Sequence, residues 1–97
     1  DMANTTFERN QAVRVITPQG IVLDGTICET GPMGRPMPFY PDSTVTKYGN
    51  GTMGRTAWGY KVRMPILNKE TLELHQDRHG QPLMGLGYVE ASQIEAV

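Results

Sequence analysis

Glycine and proline recur along the whole chain and divide it into short segments. The 97 residues include 11 glycines and 7 prolines. No segment longer than about six residues carries a convincing helical stripe of apolar side chains. Between the breaks, apolar and polar residues alternate with the two-residue period of a strand, most clearly over 57–66. The sequence therefore predicts an all-β fold of five to six short antiparallel strands.

The first half of the chain contains two expected strand regions. Residues 12–17 alternate and end at Pro18-Gln19-Gly20, which has the composition of a turn. Asp24-Gly25 then interrupts an apolar, β-branched run over 21–30. Asp-Gly between two such runs is a strong hairpin signal, and a bulge is the alternative. Residues 1–11 show no periodicity and are expected to form an irregular N-terminal tail.

The second half contains the clearest strand and a weaker partner. The alternation over 57–66 is expected to place five side chains on one face: Trp58, Tyr60, Val62, Met64 and Ile66. Residues 71–75 are expected to form the next strand, with Leu72 and Leu74 directed inward. Residues 86–89 then predict a further strand.

Both ends of the chain resemble SH3-like barrels. The residues that resemble the opening of the KOW kind are Val13, Val15, Gly20, Gly25 and Ile27, where a strand, a glycine-marked loop and a second strand follow in order. The stretch 87–95, GYVEASQIE, is similar to the SH3-like close, in which a strand, one 3₁₀ turn and a last strand complete the barrel. The resemblance implies a single small SH3-like β-barrel over 12–97, and a fold of this kind implies no particular function.

A long insertion over 31–56 is expected between the second and third strands. It contains two Gly-x-Met-Gly-Arg segments, which end at Arg35 and Arg55. Between them lie three aromatic residues: Phe39, Tyr40 and Tyr48. Glycine lets backbone N–H groups converge on an anion, and arginine adds a fork-shaped donor. The alternative is that both segments are turns with solvated arginines. An insertion of this length is usually functional or disordered.

The charges are unevenly distributed although the net charge is −1. Residues 30–69 carry six cations and one anion, and the remainder carries three cations and nine anions. A basic centre between acidic flanks indicates an anionic partner or attraction between subunits, and an uneven solvated surface is the alternative. The expected contact residues are Arg35, Phe39, Tyr40, Tyr48, Arg55, Trp58, Lys61 and Arg63.

Several sequence features resemble parts of a cofactor, metal or disulfide site but lack the context that such a site requires, and no membrane span is expected. Residues 49–54 match G-x-G-x-x-G, but no helix is expected after them, so a dinucleotide fingerprint lacks its context. His75 and His79 are typical of a polar hairpin tip, since no second ligand cluster accompanies them. The single Cys28 cannot form an intrachain disulfide and is expected to be a small buried hydrophobe. No apolar run approaches the length of a membrane span.

The function expected from these features is a non-enzymatic binding or assembly module. It would use the 31–56 arm for contact with a protein partner or with further copies of itself, as a homo-oligomer in the cytoplasm. One alternative is a site for a small anionic ligand, or an enzyme, formed at a subunit interface. A second alternative is nucleic-acid binding, through the basic residues and stacking on the tyrosines.

Overall fold

In the part of the chain that the structure describes, one antiparallel sheet of six strands contains almost all of the regular structure. The computed structural model describes residues 6–41, 56–68 and 70–97. The strands are β1 (Ala12–Ile16), β2 (Val22–Glu29), β3 (Met37–Phe39), β4 (Ala57–Pro65), β5 (Met84–Glu90) and β6 (Ile94–Ala96). Within the described residues, helical structure is confined to the 3₁₀ turns Pro32–Gly34 and Ala91–Gln93. The prediction of an all-β fold is confirmed.

Strand β4 lies at the centre of the pairing pattern. Gly59 pairs with both Met37 of β3 and Glu90 of β5. Lys61 likewise pairs with residues of both β2 and β5. A strand has only two edges, so β5 occupies one edge of β4, and β2 and β3 share the other. Strand β1 then lies between β2 and β6.

The sheet bends strongly because its two ends are joined by a short connection. Strands β5 and β6 lie at opposite ends of the pairing order, yet only the turn Ala91–Gln93 separates them in the chain. The sheet must therefore curl until these strands come close together. The pairing of β2 with β4 shifts register between Ile27 and Glu29, an irregularity that adds local twist. The order of elements predicted for the C-terminus, a strand, a tight turn and a closing strand, is confirmed.

The core forms on the concave side of this sheet. Its most deeply buried large side chains are Tyr60, Ile27, Val13 and Val62. Tyr60 and Val62, which the sequence predicted on one face of the strand, thus share its inward side. Trp58 and Ile66, which were expected on the same face, are 58% and 42% exposed. Trp58 pairs with Pro38 of the three-residue strand β3, beyond the core, and Ile66 follows the end of β4.

The segment before β1 is irregular but contributes to the core. Phe7 is 3% exposed, and its ring meets the ring of Tyr60 edge to face at 5.1 Å between centroids. The backbone N–H of Asn10 donates to the Ile27 carbonyl, and the N–H of Ile27 donates to the Gln11 carbonyl. Residues 6–11 are thus attached to β2, whereas the sequence predicted a tail.

Asp24-Gly25 does not form a turn. Strand β2 continues through both residues, and β1 pairs with them without interruption, so the predicted hairpin or bulge at this position was wrong. The turn lies earlier, at 17–21, where Gly20 has a positive φ of 85°. At Gly25 a Cβ atom would lie 2.8 Å from Cγ1 of Val62. Glycine is needed there for the close approach of β4.

The expected strand over 71–75 is a short ribbon outside the sheet. Leu67 and Leu74 form an isolated bridge, as do Gln76 and Pro82. The predicted inward direction of Leu72 and Leu74 was wrong, because both are more than a third exposed. The inner position beside β4 is taken by β5, which pairs with it over seven residues.

Part of the expected insertion belongs to the sheet. Strand β3 lies within 31–56 and pairs with the start of β4. The first Gly-x-Met-Gly-Arg segment forms the turn Pro32–Gly34, in which Met33 and Gly34 have positive φ angles. The second segment lies outside the described residues.

Candidate functional site

The outward side of β4 and β5 carries a mixed apolar and basic surface. Because Tyr60 and Val62 point into the core, the alternating residues Lys61 and Arg63 point away from it. Directly opposite them on β5 are Tyr88 and Leu86, and Met84 lies opposite Pro65. The name outer face is used below for Phe39, Lys61, Arg63, Met84, Leu86 and Tyr88.

Three alternate residues of β5 form a continuous exposed apolar stripe. Leu86 is 60% exposed, Tyr88 is 51% exposed and Met84 is 43% exposed. Single exposed apolar residues are normal on any protein, whereas contiguous ones are typical of contact surfaces. The stripe is therefore the part of the outer face that most needs a functional explanation.

Glycines on the inward side of β5 explain why its large side chains point outward. A Cβ atom on Gly87 would lie 3.2 Å from Cε of Met64, and one on Gly85 would lie 3.0 Å from Cγ1 of Ile66. Neighbouring side chains thus already occupy the inner side of these positions. The pattern of Met84, Gly85, Leu86, Gly87 and Tyr88 places every large side chain of this segment on the outer face.

Phe39 connects the 31–56 arm to the stripe. It pairs with Ala57 in the sheet, and its ring stacks on Tyr88 at 5.5 Å between centroids with 21° between the planes. Tyr40 and Tyr88 both line a shallow depression beside this stack. Phe39 and Tyr40 thus lie beside one surface, and their role in partner contact stays a prediction.

Lys61 and Arg63 differ in their surroundings. The Lys61 ammonium lies 3.9 Å from a Glu29 carboxylate oxygen and 5.9 Å from the centroid of the Tyr88 ring. A solvent-exposed pair of this kind contributes at most about 1 kcal/mol, and its main effect is to hold the charge beside the aromatic ring. Among the described residues, no carboxylate lies within ion-pair distance of Arg63. Arg63 is thus the cation of the outer face that is open to a partner.

The free edge of β5 lacks the usual protection against pairing. Within the described residues, β5 pairs only with β4, so one row of its backbone groups faces outward. Its sequence, MGLGYVE, has no proline and no charge before Glu90. Natural proteins protect edge strands with charges, prolines, bulges or short length. The edge over 84–89 has neither a charge nor a proline and is suited to accept another strand.

The other predicted contact residues are dispersed. Trp58 is exposed but lies on the opposite side of β4 from Phe39, Lys61 and Arg63. Arg35 is exposed after the turn Pro32–Gly34, where its backbone N–H donates to the Pro32 carbonyl at 3.1 Å. Tyr48 and Arg55 lie outside the described residues, so the convergence of the two arginines stays a prediction.

Cys28 and the two histidines lie away from the core. Cys28 was expected to be buried, but it points outward, is half-buried and lines a depression that includes Arg9 and Lys61. Alternation in β2 explains this, because its neighbour Ile27 takes the inward position. His75 and His79 are exposed. Across 6–41, 56–68 and 70–97, no group of three or more potential metal ligands occurs.

Comparison with protein-family models, curated proteins and solved structures finds no match to this chain. Among the described residues there is no helix with the length and apolar character required to span a membrane. The functional argument therefore rests on the geometry of the outer face and of the β5 edge.

Proposed function

We propose that this chain is a non-enzymatic assembly module, a small SH3-like barrel that associates with a second copy of itself through β5. The observation that carries the proposal is the combination of an unprotected edge over 84–89 with the apolar stripe Met84, Leu86 and Tyr88. Addition of a strand to a sheet edge is a common mode of protein recognition, in which backbone hydrogen bonds supply affinity and side chains supply specificity.

Two copies of β5 can pair antiparallel about a two-fold axis. Each copy then presents the same surface to the other, as in most homodimers. Alternation keeps the stripes of both copies on the same side of the joined sheet, so the Leu86 and Tyr88 side chains of the two copies meet across the seam. Phe39 extends this contact because it stacks on Tyr88.

The basic residues of the two copies do not oppose each other in this arrangement. Lys61 and Arg63 lie on β4, one strand away from the seam. The two β4 strands would be three strand spacings apart, roughly 14 Å. That distance exceeds the screening length of about 8 Å at physiological ionic strength. Repulsion between the copies is therefore small, and Arg63 flanks the interface.

Leu86→Glu tests the proposal at the centre of the stripe. In the isolated chain the new carboxylate lies opposite Arg63, so the fold should tolerate it. In the dimer two carboxylates would be brought together and desolvated, which should raise the dissociation constant at least about tenfold. Sedimentation velocity over a range of concentrations measures this directly.

Val22→Glu is the matched control for that experiment. Val22 is a comparably exposed apolar residue, 56%, and it lies on β2 away from the outer face. The substitution Val22→Glu should leave the dissociation constant of the dimer within about threefold of the native value. Equal weakening by the two substitutions would show that general surface charge, and not β5, controls association.

The remaining functions expected from the sequence stay predictions. An anionic-ligand site between Arg35 and Arg55, or an enzyme at a subunit interface, depends in part on residues outside those described. Nucleic-acid binding through the basic residues Lys61 and Arg63, with bases stacked on Tyr40 and Tyr48, predicts steep weakening with salt. The cytoplasmic location also stays a prediction.

A further inference from the structure

An apolar cavity of about 400 Å³ opens next to the core. Its lining includes the buried side chains Val15, Leu23 and Val89, together with the partly buried Met64 and Leu67. Pockets of roughly 300–1,000 Å³ with mainly apolar walls are typical of small-molecule sites. The cavity reaches the rim of the outer face, since Leu86 and Tyr88 also line it, and the buried Val15, Leu23 and Val89 connect it to the core.

Two polar side chains of the cavity have hydrogen-bonding capacity to offer. The Thr17 hydroxyl oxygen accepts the backbone N–H of Ile21 at 3.0 Å, which leaves its own proton available to donate. Gln93 is half-buried, and its carboxamide has no hydrogen-bond partner among the described residues. Both side chains are available to polar groups of a ligand.

The absence of charge limits which ligands fit. None of the residues lining the cavity, all in the described part of the chain, is charged. An ion entering it would lose hydration without gaining an opposite charge, which is unfavourable. An apolar ligand would instead gain about 25 cal/mol for each Å² of apolar surface removed from water. The chemistry therefore differs from that of the anionic ligand expected from the arginines.

We propose that this cavity binds a neutral, largely apolar small molecule whose polar group contacts Thr17 and Gln93. The proposal is independent of self-association through β5, because a ligand seated against Val15, Leu23 and Val89 requires no second copy.

The test uses two fluorescent probes with the same aromatic framework. N-phenyl-1-naphthylamine is neutral, and 1-anilinonaphthalene-8-sulfonate adds only a sulfonate. Titration of the native chain at low micromolar concentration should show saturable binding of one neutral probe per chain. The sulfonated probe should bind at least about tenfold more weakly, because the lining offers it no cation.

Thr17→Asp and Thr17→Asn locate the probe in the cavity. Both replacements keep a side-chain oxygen that can accept the Ile21 N–H, and they differ essentially in one charge. Thr17→Asp should raise the dissociation constant of the neutral probe at least about tenfold. Thr17→Asn should leave this constant within about threefold of the native value. Cooperative thermal unfolding of both variants establishes that they are folded.

Three outcomes would overturn the proposal. One is a lack of saturable binding of the neutral probe to the native chain. Another is equal affinity of the two Thr17 variants, or of the two probes. The third is an affinity of the native chain for the probe that falls as protein concentration rises, since the occupant would then be part of a second copy.

Discussion

At the scale of single residues, Tyr60 joins three parts of the molecule. Its hydroxyl donates to the Gly34 carbonyl at 2.8 Å, and its ring contacts Phe7. The Phe7 backbone N–H donates to the same carbonyl at 3.0 Å. Burial raises the pKa of the Tyr60 phenol above its ordinary value of 10.0, and a hydrogen bond with the Phe7 backbone opposes this only in part. The N-terminal segment, the arm and β4 thus depend on one protonated phenol.

Tyr60→Phe should lower the free energy of unfolding by about 0.5–1.5 kcal/mol at neutral pH. The decrease in the free energy of unfolding is limited because the Gly34 carbonyl still accepts a hydrogen bond from the Phe7 N–H and is not left unpaired. In the native chain a raised folded-state pKa means that the stabilisation is complete below about pH 10 and is lost as the pH rises through the folded-state pKa. Urea unfolding from neutral to strongly alkaline pH should therefore show the two curves converging.

Tyr88→Phe provides the control for that comparison. Its ring is exposed on the outer face, so at concentrations where the chain is monomeric the free energy of unfolding should change by less than about 0.5 kcal/mol. Parallel pH curves for native and Tyr60→Phe would contradict the assigned role of the buried phenol.

At the scale of elements, the sequence predicts strands well where their two sides differ in environment. Tyr60 and Val62 alternate with Lys61 and Arg63, and this alternation is enough to place β4 correctly. It does not reveal where the core ends, since Trp58 follows the same alternation as Tyr60 and is nevertheless exposed. Asp-Gly in β2 resembles turn chemistry, but the closeness of Val62 to Gly25 depends on the pairing of distant strands.

The candidate site was only partly predictable for the same reason. Lys61, Arg63 and Phe39 were identified from charge, alternation and composition. Leu86 and Tyr88 were missed, although glycines alternating with large apolar residues over 84–88 are a readable signal for a strand with one crowded face. That β5 is an edge strand follows only from which strands pair with β4, which local sequence does not determine.

The contact between β4 and β5 makes Gly59 irreplaceable. A Cβ atom at this position would collide with the backbone carbonyl oxygen of Val89, which cannot move without disrupting β5. Gly59→Ala should therefore lower the free energy of unfolding by about 3 kcal/mol or more. Gly87→Ala is the matched control, because its Cβ would meet only the flexible end of Met64. This substitution should lower the free energy of unfolding by less than half as much as Gly59→Ala. Chemical denaturation of both variants measures the difference, and similar losses would contradict this packing.

At the scale of the whole molecule, the bent sheet has two ends of unequal character. Strand β6 is three residues long and includes Glu95, so it offers little backbone to a partner. Strand β5 is longer and carries the stripe on its outward side. The same curvature that closes the core thus leaves one long edge and one apolar surface side by side, and the proposed assembly uses both.

Concentration-dependent NMR tests this central claim most directly. Amide spectra of the ¹⁵N-labelled native chain are recorded across a wide range of protein concentrations. The account predicts progressive shifts over 84–90 and at Phe39 and Tyr40, with those over 70–80 and at Val22 unchanged, and predicts that Leu86→Glu abolishes the shifts. Spectra that do not depend on concentration, or shifts centred away from β5, would contradict it.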